Sequence, residues 1–516
     1  MTPKSNPIRL LASFFTVSVW TLASRVMGFV REIMFASFFG SSATAEAFQI
    51  AFALPNMFRR FFAEGAFNMA FVPMFSKKLE NDEDAKAFAQ NAMANLATIL
   101  IILTVIALIA MPWFVLATAS GFAGDERFDL ATDFGRITFP YILFISLAAL
   151  LSGVLNALGR FAAAAAAPVF LNIILVGAMT LAYLQGYDVG NALTWGVPVA
   201  GVAQLAIVWV AAKRAGIRLM PQIPRLTPDM KKLAMIAAPA MLAGGVVQIN
   251  LVVGRQVASH FDGAIQWLAV ADRLYQLPLG VVGIAIGVVL LPDLSRKLSS
   301  GDTDGGQYAF NRATEFALAL TLPATVGLLL VPGPVVSVLF ERGAFNATDS
   351  AMTASALAIY AVGLPAFVLQ KVFQPLYFAR EDTKTPFRFA LVSMVLNVVL
   401  AFGLREQFGF LAAAIGTTLS SIVLVALLYF GTRKLGAEAQ FDAGLKRTAP
   451  RLLAASVVMG VATYGLGLLL DPYFSHAGIR YAALAALIIG AIAVYAAACF
   501  IFGAFSKQSL RGFVKR

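Results

Sequence analysis

Apolar runs of helix length, broken at regular intervals by Pro, Gly and small clusters of charge, repeat along the whole chain. The runs exceed the roughly 18 residues needed to cross hydrocarbon, and they lack the period-two alternation of outer-membrane strands. They predict fourteen helices, near 10–38, 43–75, 84–118, 130–159, 161–186, 190–216, 228–261, 264–299, 306–332, 347–379, 384–405, 409–434, 446–470 and 477–505. Such boundaries are good to about 2 to 4 residues. An even number of spans puts both termini on one side of the membrane.

Composition agrees with this pattern. Of 516 residues, 59% are hydrophobic and 13% charged, and the mean hydropathy is +0.80; soluble domains carry about 25% charge. The fold class expected is therefore an all-α integral membrane protein. The first run contains Arg25 and no small-residue cleavage site, so it reads as a retained helix rather than a removable signal. The single cysteine, Cys499, can form neither an intrachain disulfide nor a multi-cysteine metal site, and reads as a small core residue.

Charge distribution sets the orientation. Connections on the termini's side hold 27 Lys and Arg, against 4 (Arg127, Arg342, Arg405 and Arg480) on the other. Cytoplasmic connections retain positive charge during insertion, so both termini are expected in the cytoplasm. The net charge of +12 is then a matter of topology and calls for no nucleic acid.

Weak internal similarity points to two related halves. "FVPMFSKKL" (71–79) resembles "LLPDLSRKL" (290–298) at an offset of 219, and Pro140 and Arg160 match Pro365 and Arg380 at offsets of 225 and 220. "AEAF" with "LP" at 54–55 likewise parallels "ADRL" with "LP" at 277–278. Two six-helix halves, roughly 10–216 and 228–434, follow in the same orientation, with the last two helices outside the repeat. "FAEGAFN" (62–68) also resembles "FERGAFN" (340–346), but its offset of 278 fits no pairing of helices.

Of the 39 Lys and Arg, eight are left once those 31 are assigned to the connections and the helix ends beside them: Arg25, Arg31, Arg59, Arg60, Arg136, Arg255, Arg273 and Lys371. A charge at a helix centre costs roughly 2.5 to 3.5 kcal/mol on insertion scales. Arg25, Gly28 and Glu32 fall on one helical face, and Gly28 offers a flexible point that could turn Arg31 toward the same cavity. Pro55 removes a backbone donor and predicts a kink one turn before Arg59 and Arg60, with Glu64 at i+4 from Arg60. In the eighth helix Asp272 and Arg273 precede Pro278. Pairing with neighbours (Arg25 with Glu32, Arg60 with Glu64) or snorkelling accounts for Arg60, Arg136, Arg255 and Lys371 at least as well as ligand contact does. For Arg25, Arg31, Arg59 and Arg273 the acids Glu32, Glu64 and Asp272 are too few, leaving a cavity with surplus positive charge. Guanidinium forks suit phosphate oxygens and stay charged when partly desolvated.

Other chemistry is sparse. No nucleotide-binding G-x-x-x-x-G-K-[ST] loop occurs, His260 and His476 stand apart, and no Cys/His cluster suggests a metal. The external stretch "ASGFAGDERFD" (119–129) is too short for a catalytic domain, and "FAAAAAAPVF" (161–170) reads as the small-residue start of a closely packed helix.

The segments "SRVMGFVRE", "LPNMFRRFFAEGAFNMAFVP", "ITFPYILFISL", "ADRLYQLPLGVVGIAIGVVLLP" and "REDTKTP" resemble the MurJ (MviN) lipid II flippase family of the multidrug/oligosaccharidyl-lipid/polysaccharide (MOP) exporter superfamily. The resemblance implies an N-lobe over 1–220, a C-lobe over 221–440 and a helix pair over 441–516 that forms a lipid-tail groove. It implies a flippase rather than an enzyme, one that moves undecaprenyl-diphosphate-linked peptidoglycan precursor from the cytoplasmic to the periplasmic leaflet of the bacterial inner membrane by alternating access. Partners would be lipid II, membrane lipids and the cell wall synthesis machinery. By matching motifs, the family's cavity arginines fall on Arg25, Arg31, Arg59 and Arg273, and its acids on Glu32, Glu46 and Glu64. Gln276 stands where some members carry an acid. No cofactor is implied. Moving about two negative charges outward along an inside-negative potential is favourable by roughly 4.6 kcal/mol per 100 mV, so the membrane potential or an ion gradient can drive export.

A drug or cation exporter of the same superfamily should instead show an excess of cavity carboxylates. Export of another polyprenyl-linked glycan would leave the same cationic signature. A membrane-embedded glycosyltransferase would need an acid or metal constellation near one face, and a purely structural scaffold would have no use for buried arginines.

Overall fold

The computed structural model describes residues 7–62, 66–81, 83–220, 222–285, 291–476 and 478–504, with the side chains of 7–14, 66, 239–247, 281–285 and 291 excepted. Helices make up nearly all of it. In chain order they are α1 (Pro7–Phe39), α2 (Ala43–Phe62), α3 (Ala66–Glu80), α4 (Ala85–Thr118), α5 (Glu126–Thr138), α6 (Tyr141–Ala157), α7 (Ala162–Gln185), α8 (Val189–Arg214) and α9 (Pro228–Ala258). There follow α10 (Ala264–Ala285), α11 (Leu291–Ser299), α12 (Thr303–Leu330), α13 (Pro332–Phe340), α14 (Ala347–Phe378), α15 (Lys384–Gly403), α16 (Arg405–Phe408), α17 (Leu411–Thr432), α18 (Ala443–Phe474) and α19 (Arg480–Ile501).

Short polar side chains set many of the starts. Asp84, Asp125, Asp188, Asp302 and Asp442 each accept a backbone N–H in the first turn of α4, α5, α8, α12 and α18. Asn346 and Asp349 form a reciprocal capping box at α14. These side chains satisfy donors that a helix start leaves open. At its other end α7 stops on Gly186, whose φ of +70° suits a residue without Cβ.

Two expectations about the elements need correcting, and a third reaches residues outside the described set. The run at 130–159 is two helices, because Asp125 caps α5 four residues earlier than expected and a turn at Phe139 and Pro140 separates α5 from α6. The stretch after 332 holds a further helix, α13, with Pro332 in its first turn, where a missing N–H costs nothing. The runs at 43–75 and 264–299 appear as α2 with α3 and α10 with α11; residues 63–65 and 286–290 between them lie outside the described set.

Two compact units divide the chain, residues 1–252 and 253–516. In the first, α2 packs on α5, α3 on α6, α4 on both α5 and α6, and α8 on α6 and α7, while α1 lies along α7. In the second, α10 and α11 pack on α14, α12 on α14, and α17 on α14 and α15. The contacts among α10 with α11, α12, α14, α15 and α17 thus parallel those among α2 with α3, α4, α5 with α6, α7 and α8. In the second unit α18 also lies against α12 and pairs with α19, and Cys499 is buried there among Ala319, Leu452 and Ala455.

Ten helical segments among the described residues are long and apolar enough to cross a membrane. Their outer faces are greasy: Ile99, Ile102, Ile106 and Ile109 on α4 are each more than half exposed. A continuous apolar face of this kind requires hydrocarbon as its solvent.

Candidate functional site

The charged residues lie on helices whose positions are set by specific polar contacts. α1 runs unbroken through Gly28, where Asn172 of α7 comes close: a Cβ on Gly28 would sit 3.6 Å from its side-chain amide. Asn172 Nδ2 donates to the Ser24 carbonyl at 3.2 Å. That carbonyl is also the i−4 acceptor of Gly28 within the helix, so Gly28 marks a helix crossing rather than a break.

Arg31 Nη2 pairs with Glu32 Oε1 at 2.6 Å, and both side chains are largely buried. Arg25 is exposed and makes no pair with Glu32. The Arg25–Glu32 pairing that the sequence offered as an alternative to ligand contact gives way to one between chain neighbours, because the Glu32 carboxylate reaches the adjacent guanidinium directly.

Pro55 lies buried inside α2. Lacking an N–H, it leaves the Ala51 carbonyl without its i−4 donor. Thr138, fully buried at the end of α5, supplies the replacement: its hydroxyl donates to Ala51 O at 3.1 Å. Arg59 follows half-buried on the last turn of α2, and Arg60 beside it is exposed. Glu64, the partner expected for Arg60, lies outside the described residues. Counted along the helices from the turn at 40–42, Arg25 and Arg59 stand at similar distances, about 21 and 24 Å, and Arg31 at about 12 Å.

Glu46, in the first turn of α2, is 1% exposed and meets Arg127 Nη1 at 2.9 Å. Arg127 is itself buried, although its place in an external stretch suggested otherwise. Its Nε and Nη2 donate to Asp125 Oδ2 at 2.8 and 2.6 Å, and its guanidinium lies 4.6 Å from the Phe122 ring centre. Burial pushes the Asp125 carboxyl upward, but hydrogen bonds and charge from Arg127 outweigh it and hold that carboxyl below the ordinary range. Sequence reasoning missed Arg127 and Thr138 as supports of the charged helices; 81 and 87 residues separate them from their partners. Only the Asp-x-Arg spacing at the start of α5 hinted at a local pair.

In the second unit, α10 carries Asp272, half-buried, and Arg273, exposed, with Pro278 further along the same continuous helix. Gln276 Nε2 donates to Asp272 Oδ2 one turn away. An amide at 276 supplies a donor that an acid would have to gain by protonation. Tyr275 stacks near Tyr360 and Phe367, with ring centres 5.1 and 5.4 Å apart. Trp267 Nε1, in the first turn of α10, donates to Asp349 Oδ1 of α14 at 2.7 Å. This tie stands where Glu46–Arg127 stands in the first unit. Arg25, Arg31, Glu32, Glu46 and Arg59 thus belong to one unit, and Asp272 and Arg273 to the other.

Among the described residues no group of three or more His, Cys, Asp or Glu could hold a metal ion. Arg136 is exposed and interacts with Asp133 at 3.5 Å and with the Leu108 carbonyl.

Comparison with known proteins places this arrangement. The family model described as "Lipid II flippase MurJ" matches residues 35–477. A probable lipid II flippase MurJ of Rhizobium meliloti (strain 1021) is 45% identical, over 98% of this chain and 96% of its own length. A solved lipid II flippase MurJ in an inward closed conformation aligns with a TM-score of 0.80 at 25% identity, covering 94% of this chain and 98% of that one. An inward-facing multidrug resistance MATE family transporter of the MOP superfamily aligns with a TM-score of 0.67 at 14% identity, covering 81% of this chain and 96% of that one, a likeness of fold alone. The chain belongs to the lipid II flippase MurJ family.

Proposed function

We propose that this protein moves lipid II, the undecaprenyl-diphosphate-linked peptidoglycan precursor, from the cytoplasmic to the periplasmic leaflet of the bacterial inner membrane. It acts as a transporter and not as an enzyme. The observation that carries the reading is a 45% identity extending over nearly the whole of both chains. The alternating-access cycle would expose the diphosphate site to one leaflet and then the other.

Arg25, Arg31, Arg59 and Arg273 are the proposed headgroup ligands. Arg25 and Arg273 are exposed on their helices, and Arg59 is half-buried. Glu32, Glu46 and Asp272 position the cationic helices, and Glu64 is assigned with them on its motif. In this reading α1, α2 with α3, α9 and α10 with α11 add four spans to the ten, giving fourteen with both termini cytoplasmic. The division remains 1–220, 221–440 and 441–516, and the parallel helix contacts support two related lobes. The membrane potential supplies the drive, since about two negative charges move outward at about 2.3 kcal/mol per charge per 100 mV. The cell wall synthesis machinery would receive the product.

Depletion in the native cell tests the function. Lipid II should accumulate in the cytoplasmic leaflet while its periplasmic pool falls; unchanged export in a cell without a second flippase would reject it.

A further inference from the structure

A cavity of about 860 Å³ opens in the first unit between the ends of α6 and α8, the start of α7 and the early part of α1. Its size falls within the range of small-molecule sites, about 300 to 1,000 Å³. None of the residues proposed to bind the diphosphate lines it. Two guanidinium groups do, Arg160 and Arg214, both on exposed residues. Among the described residues neither has an ion-pair or hydrogen-bond partner.

The local sequence builds this site. α6 ends at Ala157, and Gly159 turns the chain with a φ of +73°, which places Arg160 immediately before α7. α7 begins at Ala162 with no side-chain cap, so its first N–H groups add positive potential beside the two arginines. The run of alanines from 162 leaves room: Ala162 and Ala163 line the cavity where larger side chains would fill it. Apart from Thr16 the remaining wall is apolar, with Leu155, Ile207 and Val210 among its residues.

We propose that this cavity binds an anionic phospholipid of the cytoplasmic leaflet. The phosphodiester sits between Arg160, Arg214 and the start of α7, and an acyl chain lies along the apolar wall. Basic pockets between helices at the cytoplasmic face suit such headgroups. A soluble anion would gain nothing from the apolar wall, and a zwitterionic lipid would bring its own cation toward the arginines. The proposal rests on the orientation given under Proposed function, in which Arg160 and Arg214 face the cytoplasm.

Purified full-length protein in detergent, titrated with dioleoyl-phosphatidylglycerol and separately with dioleoyl-phosphatidylcholine, tests it by native mass spectrometry. The wild type should bind the anionic lipid about tenfold or more tightly than the zwitterionic one, as expected for two charge-assisted contacts. The R160Q/R214Q double variant should lose that preference. Ala163→Trp, which fills the cavity while keeping both arginines, should weaken binding as well, and thermal melts of each variant verify folding. Equal binding of the two lipids, or undiminished preference in the double variant, would overturn the proposal. Displacement of the anionic lipid by an equal concentration of inorganic phosphate or lipid II would overturn it too, by assigning the cavity to that ligand. Binding in detergent requires neither transport nor a membrane orientation, so its failure is distinguishable from failure of the flippase reading.

Discussion

Arg127 shows how a charge that looks peripheral in sequence can hold a functional helix. It enters a buried pair with Glu46 and donates from two nitrogens to a single oxygen of Asp125. Removing one member of a buried pair costs about 3 to 5 kcal/mol, because the other keeps its desolvation penalty without its partner. Arg127→Met should therefore lower the melting temperature markedly, and Glu46→Gln in that background should restore part of the loss. Additive effects in the double variant would show that the two side chains do not act together. Asp125 makes a separate pH prediction. Its carboxyl is held below the unfolded value, so its contribution is present above about pH 3.9 and is lost as pH falls through the lower folded value. Melting curves followed down through that range should show a smaller acid-induced fall for Asp125→Asn than for wild type; equal falls would contradict the assignment.

At the scale of elements, α2 keeps a proline in its interior because α5 supplies what the proline removes. The Thr138 hydroxyl donates to the Ala51 carbonyl, and an unsatisfied buried acceptor costs about 1 to 3 kcal/mol. Thr138→Val should destabilise by about that amount in wild type and by clearly less in a Pro55→Ala background, where the helix regains its own donor. Equal losses in both backgrounds would refute the compensation. Much of this level could be read from the chain. Apolar runs located the ten long apolar segments seen among the described residues, and Pro55 and Pro278 stood out inside α2 and α10. What stayed hidden depended on long-range partners or on local caps. Asp125 moved the start of α5, Pro332 began α13 between two predicted runs, and Asn172 explained Gly28 from another helix. A period in hydrophobicity carries none of that information.

On the scale of the whole molecule, two compact units meet at 252/253, inside α9, and several helix contacts of one have counterparts in the other. The polar ties at the starts of α2 and α10 differ in chemistry, Glu46 with Arg127 in one unit and Trp267 with Asp349 in the other. One unit thus invests an ion pair and the other a neutral donor on a carboxylate. The cationic residues are shared between the units, three arginines on α1 and α2 and one on α10. The central claim is that these four guanidinium groups host a lipid-linked diphosphate in transit. Purified protein reconstituted in liposomes, with fluorescent lipid II in one leaflet and a membrane-impermeant quencher outside, measures that transit directly. Wild type should move lipid II faster under a potential that favours outward anion movement, and Arg25→Ala, Arg31→Ala, Arg59→Ala and Arg273→Ala should each insert normally yet lose transport. Wild-type rates in all four variants would contradict the account.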